Sequence, residues 1–215
     1  MSPKPPCASE LPLRRVLLLP GIWMRPWTLR VLASRLSAEG FSVRTLAYPG
    51  VFGSPEATLA QLLPAMAQVD AVVAHSLGGL MTLEALRRDP GVSVQRVVCL
   101  GSPLCGSRVA AWLRERRFGL ALGRSGDLLT QGCTLPWPGR AQVGAIAGSS
   151  ARGVGRVLGV FSGSNDGTVG LEETQWPGLI DHAVVPASHT GLLVSRMAAR
   201  QAVHFLHHGQ FAASA

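Results

Sequence analysis

The stretch Asp70–Leu86, DAVVAHSLGGLMTLEAL, decides how the rest of the chain is read. Ala71 to Ala74 is a short apolar run of the kind that forms a strand buried on both faces. Leu77 to Arg88 carries apolar residues at helical spacing, with Gly78 and Gly79 where a helix must pass close to a strand. Ser76 therefore falls on a tight strand-to-helix junction, a setting that can hold a serine hydroxyl out as a nucleophile. The G-x-S-x-G pattern of such junctions has Ala74 in place of its first glycine. Alanine is the smallest side chain that can stand there, so close approach survives. An ordinary turn with one more serine in it is the other reading of the same residues.

Outward from this junction the chain alternates between strand and helix patterns. Val16 to Leu19 is a continuous apolar run ended by Pro20-Gly21, and Trp27 to Glu39 follows as a helix with Leu29, Leu32, Ala33 and Leu36 on one stripe and Gly40 as its stop. Phe41 to Leu46 reads as a strand, and Thr58 to Ala67 as a helix whose second half is disturbed by Pro64. Arg96 to Leu100, Val143 to Ala147 and Ala183 to Val185 are further strands, and Leu192 to His207 is a closing helix. Such alternation predicts an α/β fold, a mostly parallel central sheet of about six strands with helices on both faces. A chain of 215 residues suits one domain over 1–215, burying about 70% of its unfolded surface.

The segment between Leu100 and Val143 differs in character. It holds an amphipathic pattern from Ser107 to Ala121 and then the Gly/Pro-rich GRSGDLLTQGCTLPWPGR. An insertion beyond a strand's carboxyl end lies over the ligand crevice of an α/β sheet, so residues 104–140 are the candidate cap. The later GSSARGVGRVLG has G-x-G-x-x-x-G spacing, which misses the dinucleotide fingerprint, and is read as a loop.

Charged residues make up 15% of the chain and hydrophobic ones 47%, which excludes a disordered or fibrous protein. The net charge of +8 is almost all arginine, Lys4 being the single lysine. These arginines are spread along the chain with no nucleic-acid-binding module, so nucleic acid is set aside as a partner. The densest group, Arg108, Arg114, Arg116 and Arg117, is interleaved with Val109, Trp112, Leu113 and Phe118. It reads as a solvated helix face or as a surface resting on anionic lipid. Cys7, Cys99, Cys105 and Cys133 form neither C-x-x-C pairs nor a disulfide framework, which fits a reducing compartment. The N-terminal MSPKPPCASELPLRR is polar and proline-rich, and VLLLPGIW after it is too short for a signal peptide or membrane span. The expected location is cytoplasmic, with peripheral membrane contact left open.

A serine becomes a nucleophile only when a base takes its proton, an acid orients that base, and donors stabilise the oxyanion. In one known chain order the acid and then the histidine follow the serine, each on a loop at a strand's carboxyl end. GSNDGTV supplies Asp166 and VVPASHTGLL supplies His189, in that order and setting. Asp166 could instead merely cap the turn at Gly167, and His189 could be an ordinary loop residue; Glu172, Glu173 and Asp181 are rival acids. His75, beside the serine, is read as a packing or hydrogen-bonding residue. The oxyanion donors would be the backbone N–H groups of Leu77 and of Ile22, in the loop after the first strand. Trp23 and Trp27 either line an acyl pocket or pack that loop.

With these residues in place, AHSLGG, LGSPLCGS, NDGTV and SHTGLL resemble the α/β-hydrolase superfamily, and within it the small bacterial lipases and esterases, over Val16 to Phe205. The resemblance implies Ser76 as nucleophile, Asp166 as acid, His189 as base, the Leu77 and Ile22 amides as oxyanion hole, and no metal or organic cofactor. It departs from the family at Pro20-Gly21, where a His-Gly pair usually braces the oxyanion loop, and in the length of 104–140. The implied activity is hydrolysis of a carboxylic ester through an acyl-enzyme. Trp112 and Phe118 on the cap helix point toward a lipid-like or acyl-chain substrate. Acyl transfer or thioester hydrolysis would use the same triad, and a non-catalytic binding protein of this fold is the remaining alternative.

Overall fold

Apolar runs with no polar alternation can be satisfied only by burial on both faces, and the four inner strands of the sheet achieve this while the two edge strands stay partly exposed. The structure, a computed structural model, describes residues 13–50, 53–116, 118–133, 139–152, 159, 161 and 163–213. Six strands, β1 Arg15–Leu19, β2 Ser42–Thr45, β3 Ala71–His75, β4 Arg96–Leu100, β5 Gln142–Gly148 and β6 Asp181–Val185, form one sheet in the order β2-β1-β3-β4-β5-β6. Every pairing is parallel. The helices are α1 Arg30–Ala38, α2 Pro55–Met66, α3 Leu77–Arg88, α4 Arg108–Glu115, α5 Gly126–Gln131 and α6 Arg196–His208.

Because strand side chains alternate between faces, each strand feeds two cores. Leu17, Leu19, Val72, Ala74, Val97 and Val143 pack under α2 and α3, together with Leu104, Ala110, Leu122 and Leu129 of the segment between β4 and β5. Val16, Leu18, Ala71, Val73, Val98, Leu100 and Ile146 pack under α1 and α6. Gly144 of β5 lets Phe205 of α6 lie directly on the sheet, since a methyl there would overlap the ring. The expected strands, and α3 from Leu77 to Arg88, are found with ends displaced by two residues at most.

Helix starts and stops account for the differences. α2 begins three residues earlier than expected, at Pro55, because Ser54 caps it through an Oγ that accepts from the Ala57 N–H at 3.1 Å, and proline at the first position loses no bond. Pro64 stays inside α2, which ends two residues later. The expected helix Ser107–Ala121 stops at Glu115: the Phe118 N–H turns back onto the Leu113 carbonyl at 2.8 Å, and a 3-10 turn, Gly119–Ser125, follows. The closing helix starts at Arg196, capped by Ser195, and Leu192 and Leu193 fall in a separate 3-10 turn. The N-terminal reading, Cys7, Arg117 and residues 134–138 of the expected cap lie outside the described residues, as does half of the GSSARGVGRVLG loop. Cys99, Cys105 and Cys133 are free thiols. Among the described residues no helix is long and apolar enough to cross a membrane.

Candidate active site

The carboxyl ends of β3, β4 and β5 and the loop after β6 meet above one edge of the sheet. Ser76, directly after β3, has φ 52° and ψ −122°, and Trp23 is the other non-glycine residue at positive φ among the described residues. Such a backbone costs about 1–3 kcal/mol and persists only where its surroundings impose it. Here they do. A methyl on Gly78 would sit 2.7 Å from the Pro20 carbonyl oxygen, and one on Gly79 would run into the Ser102 side chain, so the first turn of α3 presses against β1 and the β4 loop. Ser76 occupies the N-cap position of α3 but makes no capping bond, leaving its hydroxyl for other work, although the residue is only 6% exposed.

Asp166 and His189 are joined by the bond expected of an acid and its base. The His189 Nδ1–H donates to Asp166 Oδ2 at 2.7 Å, while Asp166 Oδ1 accepts from the Thr168 and Val169 N–H groups at 2.9 and 2.7 Å. The His189 backbone N–H donates to the Asp166 carbonyl at 2.9 Å, so the two loops are tied twice. With its proton on Nδ1, a neutral ring offers Nε2 as a base. The rival acids are engaged elsewhere: Glu172 pairs with Arg108 at 2.7 Å, and Asp181 accepts from the His182 and Phe211 N–H groups.

Ser76 meets this pair through shared neighbours. Its N–H donates to the Leu100 carbonyl at 2.9 Å, and the next residue, Gly101 at φ 55°, passes so near the pair that a methyl on it would lie 3.1 Å from both Asp166 Oδ2 and His189 Nδ1. Gly101 was visible in LGSPLCGS, but nothing in the one-dimensional pattern says what its missing side chain makes room for.

The expected oxyanion donors flank Ser76. Leu77 is the first residue of α3, where the N–H has no partner within the helix. Ile22 lies in a turn closed by the Met24 N–H on the Gly21 carbonyl at 3.2 Å, so the turn does not consume the Ile22 amide. A methyl on Gly21 would be 3.0 Å from Ser76 Cβ, which sets this loop directly against the serine. The Pro20-Gly21 loop is tied by a residue the sequence reading passed over: the Tyr48 hydroxyl, after β2, donates to the Pro20 carbonyl at 2.6 Å. Burial pushes the Tyr48 pKa up, which keeps the phenol protonated as a donor. Trp23 and Trp27 are 61% and 66% exposed, while Trp112 is half-buried with Arg116 stacked on its ring at 4.3 Å.

Glu173 is a second residue whose role the sequence reading missed. Its buried carboxylate accepts from the Arg108 N–H at the start of α4 at 3.0 Å and from the Gly170 N–H of the Asp166 loop at 3.1 Å. Burial pushes its pKa up, opposed by these two N–H groups. The segment is held at its far side by the Ser125 hydroxyl, which donates to the Gly50 carbonyl at 2.7 Å. Glutamine at 173 has one acceptor for two facing donors, so Glu173→Gln is expected to lower stability by about 1–3 kcal/mol in urea unfolding. An unchanged midpoint would show that the carboxylate does not anchor α4.

The sequence matches no protein-family model and no curated protein. Solved structures share its architecture. A Bacillus licheniformis lipase in propeptide form matches with a TM-score of 0.77 at 18% identity, covering 100% of this chain and 53% of the lipase. A pyrethroid hydrolase matches at 0.62 and 15% identity, covering 90% of this chain and 97% of the other. A thioesterase from the prodiginine pathway of Streptomyces coelicolor matches at 0.56 and 15%, covering 97% and 88%. The chain thus spans about half the length of the Bacillus lipase. The fold is the α/β-hydrolase fold, with the parallel sheet and flanking helices expected from the sequence.

Proposed function

We propose that the protein is a serine hydrolase that cleaves a carboxylic ester through an acyl-enzyme on Ser76. The observation that carries this reading is the strained, uncapped Ser76 beside a buried Asp166–His189 pair bonded at 2.7 Å. Ser76 Oγ attacks the acyl carbonyl while its proton passes to His189 Nε2, and Asp166 holds the ring and stabilises the imidazolium. The Leu77 and Ile22 N–H groups receive the oxyanion. His189 then protonates the leaving alkoxide, and a water activated by the same imidazole releases the acid. The described parts of the expected cap, 104–116 and 118–133, are assigned to cover this site, with Trp112 and the exposed Phe118 offering apolar surface to an acyl chain.

Thioester hydrolysis by the same residues is the second reading, supported by the likeness to the Streptomyces thioesterase. Both are tested by a fluorophosphonate probe, which is expected to label the protein once, at Ser76, as mapped by peptide mass spectrometry. Absence of label at Ser76 would remove both readings and leave a binding protein. Turnover of p-nitrophenyl acyl esters against acyl thioesters then decides between them.

A further inference from the structure

His75 lies between His189 and the loop at Gly21, and the reaction scheme assigns it nothing. It precedes Ser76 in the chain and is 1% exposed. Its Nε2 lies 3.0 Å from the His189 backbone carbonyl, and its ring packs on the His189 ring with centroids 4.6 Å apart and planes inclined by 50°. On its other side a methyl on Gly21, in the oxyanion loop, would come within 2.9 Å of Nδ1. A carbonyl can only accept, so the proton must sit on Nε2 and Nδ1 is left as a bare acceptor. Among the described residues that Nδ1 has no partner.

A buried polar atom without a partner is a cost that native proteins carry for a reason. Leucine would fill much the same space without it. What histidine adds is the Nε2–H donor together with a flat face against the base. We infer that His75 is a positioning residue, which fixes His189 at the height and tilt needed to reach Ser76 by holding its main chain and flooring its imidazole. The inference rests on the hydrolase reading of Ser76 and His189. Burial, and after it the neighbouring His189, push the His75 pKa down to about 3, so the ring stays a neutral single donor while His189 gains and loses its proton.

The test compares His75→Leu with His75→Gln, since a glutamine amide nitrogen reaches about as far from the main chain as imidazole Nε2 and keeps the donor. Displacing a catalytic group by an ångström costs about a hundredfold in rate. H75L is therefore expected to lose about 10- to 100-fold in kcat for a p-nitrophenyl ester with KM little changed. H75Q is expected to recover most of that loss. Rates are taken per active site, titrated by the fluorophosphonate, so that misfolded molecules do not count. H75L turning over at the wild-type rate per titrated site overturns the inference, and so does H75Q falling as far as H75L. A wild type that neither takes label at Ser76 nor cleaves the ester overturns the hydrolase reading itself, and the inference with it.

Discussion

Replacing Ser76 by alanine is expected to lower kcat for p-nitrophenyl acyl esters by about 10⁶-fold, the scale seen when an acyl-enzyme nucleophile is removed. The fold should not suffer. Alanine retains Cβ, so it inherits the φ of 52° with the same strain, and the lost hydroxyl made no capping bond to α3. Glycine at the same place separates chemistry from strain. It adopts this backbone freely, so Ser76→Gly should be equally inactive yet about 1–2 kcal/mol more stable than Ser76→Ala, the gain trimmed by the freer unfolded chain. Urea unfolding of the two variants measures the difference. An S76A enzyme with undiminished turnover would end the nucleophile assignment, and equal stability of the two variants would mean that no strain is stored at Ser76.

Asp166→Asn is expected to cost about 10⁴-fold in kcat while leaving the fold intact. The direction follows from how the two carboxylate oxygens are used. Oδ1 faces two backbone donors, the Thr168 and Val169 N–H groups, so an asparagine must place its oxygen there and its amide NH₂ toward His189. His189 Nδ1 would then have to accept, which moves the ring proton to Nε2, the nitrogen that must take the serine proton. Asp166→Ala would be inactive for a different reason, because it also frees the 166–169 turn, and should be the less stable of the two. Steady-state kinetics of D166N settles the point: a loss below about tenfold would mean that the tautomer is set by something other than Asp166.

The parts of this site differ in how legible they are in the chain. Ser76, after an apolar run, and Asp166 and His189, in loops marked by Asn-Asp-Gly and Ser-His-Thr-Gly, were named from local windows, and the structure joins Asp166 to His189 at 2.7 Å. Gly78 and Gly79 were readable in the same way. Tyr48, Glu173 and Gly101 were not: Tyr48 acts on Pro20, 28 residues away, and Glu173 on Arg108, 65 residues away. A hydroxyl or carboxylate in a loop carries no mark of the distant carbonyl or amide it will meet. The misjudged helix ends are of the local kind. Ser54-Pro55 was a local start signal that could have been used, and the end of α4 at Glu115 is likewise closed by a local bond, the Phe118 N–H on the Leu113 carbonyl.

By itself, then, the sequence determined the α/β alternation and the burial of the inner strands on both faces, because these depend on hydrophobic periodicity and turn chemistry over a few residues. The tertiary structure alone decided which carboxylate faces His189, what holds the Pro20-Gly21 loop, and how the segment after β4 is anchored. Those are questions of which groups a parallel sheet brings to one edge, and register between strands far apart in the chain answers them: His75 beside Leu100, and Leu100 beside Ile146.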